Sequence, residues 1–143
     1  MLVSTLLEGK GRVVRTIKPR ATVANAVAEL RRLEIGALVV SNDGVTIDGI
    51  VSERDVVRRL DDFGAEVLAE PVDAVMSTHV HTCSLDDDLE SLMQLMTDRR
   101  IRHVPVLEAG KLAGLISIGD VVKSRIDELQ RDRDQLVDYI QAR

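Results

Sequence analysis

The sequence predicts an α+β (α/β-like) fold of two tandem β-α-β-β-α repeats, packed as a pseudo-two-fold pair and followed by a long C-terminal helix. Three observations predict it. The chain resembles itself at an offset of 66 residues, Thr16 on Thr82, Ile35 on Ile101 and Val40 on Val106, and then at 65, Gly49 on Gly114 and Ser52 on Ser117. Each copy shows one helical apolar period followed by two short apolar runs. The second copy ends in a stretch from Asp120 towards Arg143 with no breaker, which as a helix spans about 36 Å.

In order, Val13–Ile17 reads as an extended lead-in, and Thr22 as the N-cap of a helix with Val23, Ala26, Val27, Leu30 and Leu33 on its apolar face. Ala37–Val40 and Gly49–Val51 are too short and too apolar for helices and read as buried strands. Between them Asn42-Asp43-Gly44 reads as a hairpin turn, and the one-residue length change falls in this stretch, Ser41–Asp48. A second helix opens at Arg54. Pro71 marks a break and Val72–Met76 a short helix in the connection Asp61–Thr78. The second copy repeats the plan. Val80–Cys83 leads in, Asp86 to Asp88 favour a helix start through its dipole, and Leu89, Leu92, Met93 and Met96 form its face. His103–Leu107 and Gly114–Ile116 are its strands, and Gly119 opens its last helix. Ile126, Leu129, Leu136 and Ile140 lie near the spacing of a helical seam, which suits a partner helix from a second subunit. The expected division is 6–60 for repeat 1, 61–75 for the connection, 76–126 for repeat 2 and 127–143 for a helical extension.

Composition narrows the function. Of 143 residues 45% are hydrophobic, but only one Phe and one Tyr occur and no Trp, so the core is aliphatic and base-stacking platforms are scarce. A net charge of −5 repels a nucleic-acid backbone in bulk. No apolar run reaches the ~20 residues of a membrane helix, and the single cysteine, Cys83, excludes an intramolecular disulfide. The expectation is a cytoplasmic protein with neither nucleic acid nor membrane as partner.

Two motifs carry chemistry. Gly49-Ile50-Val51-Ser52-Glu53-Arg54-Asp55-Val56 and Gly114-Leu115-Ile116-Ser117-Ile118-Gly119-Asp120-Val121 each end a strand in Ser and turn into a helix. Such a turn offers backbone N–H groups and a hydroxyl to a phosphate, and the Asp offers acceptors to ribose hydroxyls. The same spacing equally makes a capping box with no ligand. The second motif is Arg99-Arg100-Ile101-Arg102-His103-Val104-Pro105-Val106. Arg102 and His103 are in reach of a phosphate at the neighbouring helix start, while Arg99 and Arg100 suit a solvated helix end. The first copy has Glu34-Ile35-Gly36-Ala37 there, without a base, so two sites would differ. His79, His81 and Cys83 alternate on one face as three ligands for zinc would, yet no fourth ligand stands nearby and an ordinary polar edge is expected. Cys83 and His103 as nucleophile and base lack an orienting acid and an oxyanion loop.

These motifs resemble the CBS domain, and the pair resembles a Bateman module, in particular stand-alone bacterial CBS-pair proteins. The resemblance covers about Leu6 to Ile126 and carries no catalytic domain. It implies no catalytic residue, no resident metal and no catalytic cofactor, but two clefts for an adenine nucleotide: AMP, ATP, NAD or S-adenosylmethionine. By that analogy Asp120 binds ribose, Ser117 and His103 contact phosphate, and Thr82, Cys83 and Ser84 line the adenine side, with Arg102, Val104, Pro105 and Gly119 around them. Asp55, Ser52 and Thr16 to Lys18 take the parallel roles in the other cleft, with Arg54 towards phosphate and Ala37 in place of a base. The resemblance also implies a homodimer formed through helices and an unidentified target protein. The alternative is a constitutive dimeric scaffold with unoccupied clefts.

Overall fold

The computed structural model describes residues 1–142, so the last residue of the expected extension, Arg143, lies outside the described residues. Two three-stranded sheets organise the chain, one per repeat. In the first, β1 (Thr16–Ile17) pairs parallel with β2 (Ala37–Val40), which pairs antiparallel with β3 (Gly49–Ser52). In the second, β4 (Cys83–Ser84), β5 (His103–Glu108) and β6 (Lys111–Ser117) repeat that arrangement. The fold class is therefore the expected one, and the strand registers of the two copies correspond.

An eight-residue helix that the repeat pattern did not announce opens the chain: α1, Val3–Lys10. It is followed by α2 (Val23–Leu33), capped by the Thr22 hydroxyl accepting from the Asn25 N–H at 3.1 Å, and α3 (Glu53–Phe63). The connection forms two 3-10 turns, Ala65–Ala69 and Val72–Ala74. In the second repeat α4 (Leu89–Arg99) is capped by Asp88, which accepts from the Ser91 N–H at 2.7 Å. The last helix, α5, runs Ile118–Gln141, 24 residues. Helices α3 and α5 each begin one residue before the expected opening, because Ser52 and Ser117 are themselves the caps.

The hairpins differ as the length change requires. Ala109 and Gly110 close β5–β6 tightly, both with positive φ (51° and 76°), the backbone of a two-residue turn. In repeat 1 the stretch after Ser41 is an open loop rather than a tight hairpin. Asp43 Oδ1 accepts from the N–H groups of Val45 and Thr46 at 2.8 and 2.7 Å and folds the loop on itself.

Each repeat has its own aliphatic core, and each core borrows the segment that precedes the other repeat. Val3, Leu6 and Leu7 of α1 are buried with Cys83, Leu92, Val104 and Ile116 of repeat 2. Val67, Val72 and Val75 of the connection are buried with Val23, Leu38 and Val51 of repeat 1. The glycines that open the two motifs sit under these crossing segments. A Cβ on Gly49 would lie 2.6 Å from Met76 Sδ and 2.7 Å from the Ser77 carbonyl oxygen, and one on Gly114 would lie 2.8 Å from Leu7 Cδ1. Only glycine admits so close an approach. Past Met76 the chain continues along the edge of β3, where Ser77 and Ile50 exchange two backbone hydrogen bonds of 2.9 Å.

Beyond the cores, α5 keeps Val122, Ile126, Leu129, Leu136 and Ile140 between 46% and 66% exposed, so much of its apolar seam is open.

Candidate functional site between the repeats

Because the lead-in of repeat 2 runs along β3, it meets the first motif rather than the second. A cavity of about 520 Å³ forms there, within the usual range for a small-molecule site. Ser52, Arg54 and Asp55 supply one wall, Ser77, His79 and His81 a second, and Arg99, Arg100, Arg102 and His103 a third. Ala37 and Arg58 also line it. The missing base of the first copy is thus provided by the second.

The floor is a capping box. Ser52 Oγ accepts from the Asp55 N–H at 3.2 Å, while the Ser52 N–H and Oγ–H donate to Asp55 Oδ2 at 2.8 and 2.9 Å. The capping reading therefore holds, and it does not consume the carboxylate: both bonds run to Oδ2, leaving Oδ1 as an acceptor. Above this floor stand the arginines, at the start of a buried strand and at the end of α4. Arg100 closes α4 in the left-handed conformation (φ 54°), which turns the chain so that Arg102 and His103 enter the cavity. The Ile118 N–H, donating to the Arg102 carbonyl at 2.8 Å, fixes that turn.

His103 reaches across the pair. A Cβ on Gly36 would lie 3.1 and 3.2 Å from its Cε1 and Nε2, and 2.9 Å from Glu53 Oε1. Burial lowers the basicity of His103, and the Arg102 and Lys10 charges lower it further against the pull of Asp120 and Glu53. The cavity is thus lined by several cations and by the Asp55 carboxylate, suited to an anionic group joined to a hydroxylated one.

The matched motif in repeat 2 differs. Ser117 Oγ accepts from the Asp120 N–H at 3.1 Å and Asp120 Oδ2 accepts from the Ser117 N–H at 2.8 Å. Lys10 at the end of α1 also donates to that oxygen at 2.5 Å and to the Leu115 carbonyl at 2.5 Å. Burial opposes ionisation of Asp120, but Lys10 and the Ser117 N–H outweigh it and hold the carboxyl below its usual range. No sequence pattern announced Lys10 as a partner of Asp120, 110 residues away.

Of the expected site residues, Ala37, Ser52, Arg54, Asp55, Arg102 and His103 come together at the cavity. Thr16, Lys18, Thr82, Cys83, Ser84, Ser117, Gly119 and Asp120 do not line it. Val104 is wholly buried, in the repeat 2 core, and Pro105 is paired within the second sheet. Cys83 and Ser84 pair at the Val106–Leu107 end of β5, whereas His103 and Ser117 pair at the other end. The family resemblance groups Thr82–Ser84 with Asp120; at the cavity between the repeats the crossing chain brings Ser77–His81 to Asp55. Cys83 is 9% exposed, and burial, aided by the Asp87 charge, pushes its thiol up to about 12, the opposite of an activated nucleophile. His79 and His81 meet edge to face at 5.3 Å, and among the described residues no cluster of three metal-ligating side chains forms. Nor is any described helix long and apolar enough to cross a membrane.

Two sheet-and-helix repeats that exchange lead-ins around a shared cleft define a tandem-repeat module. The CBS domain matches twice, over residues 11–62 and 72–127, and the chain belongs to the CBS-domain family. It is 36% identical over 125 residues to the CBS domain-containing protein CBSX3, mitochondrial, of Arabidopsis thaliana, spanning 85% of this chain and 61% of that one. Among solved structures, the CBS-domain containing protein ATU1752 from Agrobacterium tumefaciens superimposes with a TM-score of 0.85 at 44% identity, over 87% of this chain and 99% of that one. The CBS domain pair of protein MJ0100, in complex with 5′-methylthioadenosine and S-adenosyl-L-methionine, shares the fold at a TM-score of 0.78 and 18% identity, over 90% and 98% of the two chains.

Proposed function

We propose that this chain is a non-catalytic regulatory module of the cytoplasm that binds an adenine nucleotide between its repeats and signals to a partner protein through their relative orientation. AMP, ATP or NAD is the expected ligand. One observation carries this reading: a single cavity joins the Asp55 carboxylate of repeat 1 to Arg102 and His103 of repeat 2. Asp55 would take ribose hydroxyls and the cationic wall the phosphates, so a bound nucleotide would touch both repeats and favour one orientation over others. Its effect on a partner is no larger than its differential affinity for the two orientations. The adenosine ligands of protein MJ0100 support the class of ligand, as does the family.

The exposed seam of α5 favours a homodimer, and it also supports a second reading, a dimeric scaffold with unoccupied clefts. Titration calorimetry with AMP, ATP, NAD and S-adenosylmethionine separates the two. The sensor gives heat with at least one, and Asp55→Asn weakens it roughly tenfold, the size of one lost hydrogen bond to a charged group. A folded dimer silent towards all four favours the scaffold.

A further inference from the structure

The two Ser-x-x-Asp motifs match in sequence and in capping geometry, but their carboxylates meet different neighbours. Among the described residues, Asp55 Oδ2 accepts only from Ser52, through its N–H and its hydroxyl. Asp120 Oδ2 accepts from the Ser117 N–H and, in addition, from the Lys10 ammonium. At the repeat offset Lys10 corresponds to Met76, which carries no charge and packs on Gly49. The carbonyl that Lys10 uses, Leu115, likewise corresponds to Ile50, whose carbonyl accepts instead from the Ser77 N–H at 2.9 Å. A side-chain cation has replaced a backbone contact on one side of the pair only.

Lys10 is well placed to stay there. It lies in the last turn of α1, where the helix dipole favours a cation. Val3 and Leu7 anchor that helix at 0% and 1% exposure. Two of the three ammonium N–H groups are satisfied, one by the carboxylate and one by a carbonyl. A ribose diol binds a carboxylate by donating to it; Lys10 leaves Asp120 Oδ1 open, but its ammonium on Oδ2 offsets the charge that strengthens such bonds.

We propose that Lys10 makes the two halves of the module unequal: its ammonium sits on the Asp120 carboxylate and offsets its charge, so a nucleoside binds there more weakly than at the Asp55 cavity. This rests on the reading that these carboxylates receive ribose. The first copy, which lacks a base of its own, is then the higher-affinity site.

ATP counted per chain by native mass spectrometry, with titration calorimetry of the same samples, tests it. The wild-type protein binds one ATP near the dissociation constant of its first site. Lys10→Met binds a second, with that site strengthened roughly tenfold, and adding Asp120→Asn removes the second ATP but keeps the first. Lys10→Gln, with its melting curve recorded, repeats the result in a variant that keeps a polar side chain. Unchanged number and affinity in both Lys10 variants overturn the inference while the nucleotide reading stands. Weaker ATP binding in those variants also overturns it, since Lys10 is then a ligand contact. No ATP bound by any of the proteins overturns both.

Discussion

His103 of the second repeat lies against Gly36 of the first, so close that a single methyl group on Gly36 would come 3.1 Å from the imidazole Cε1. The absence of a side chain in one copy makes room for the base of the other. Gly36→Ala therefore displaces the ring and the Glu53 carboxylate beside it, both free to move. The fold loses at most about 1 kcal/mol, at the low end for overpacking, while ATP affinity falls several-fold. Chemical denaturation and calorimetry on the same variant measure the two effects separately.

The motif glycines under the crossing segments are structural. Gly49→Ala drives a methyl into the Ser77 carbonyl at 2.7 Å, backbone that cannot step aside, whereas Gly114→Ala meets only Leu7 methyl groups. Both variants destabilise, by about 1–3 kcal/mol, and Gly49→Ala is the more severe. Urea unfolding midpoints check the order.

The lowered basicity of His103 predicts an acid-side loss of stability. Its ordinary value is 6.5, which the unfolded chain recovers. Below that pH the unfolded state binds the proton first, so stability falls as pH drops through 6.5 and levels off once the folded protein is also protonated. Replacing it, His103→Asn, flattens this dependence. Unfolding midpoints at pH 7.5 and 5.5 for both proteins decide it, and equal slopes contradict it.

Cys83, buried in the repeat 2 core with its thiol pushed up to about 12, is predicted to be inert in the folded protein. A thiol reagent at pH 8 labels it at the rate of unfolding and at once in denaturant. Rapid labelling without denaturant contradicts this placement.

Most of the architecture was legible locally. Thr22 caps a helix, Asp86 to Asp88 start another, Ala37–Val40 is a buried strand, and the repeat offset carries the plan of one sheet to the other. What was not legible depends on contacts between distant segments. The chain's first helix is matched at the repeat offset only by the short 3-10 turn Val72–Ala74, and its apolar face is completed by Val104 and Ile116. The grouping of Ser77–His81 with Asp55 follows from the exchange of lead-ins, which leaves no local trace beyond the two glycines. The pairing of Lys10 with Asp120 joins the two ends of the fold, and no spacing rule reaches that far. The Ser-x-x-Asp motif itself stayed ambiguous in sequence because a cap and a ribose acceptor need the same residues.

The most direct test of the central claim is a crystal structure of the protein grown with ATP. The claim predicts density in the cavity between the repeats, with ribose hydroxyls within hydrogen-bond distance of Asp55 and phosphates against Arg102 and His103. An empty cavity in crystals of a protein saturated with ATP, or ATP bound away from Asp55, contradicts it.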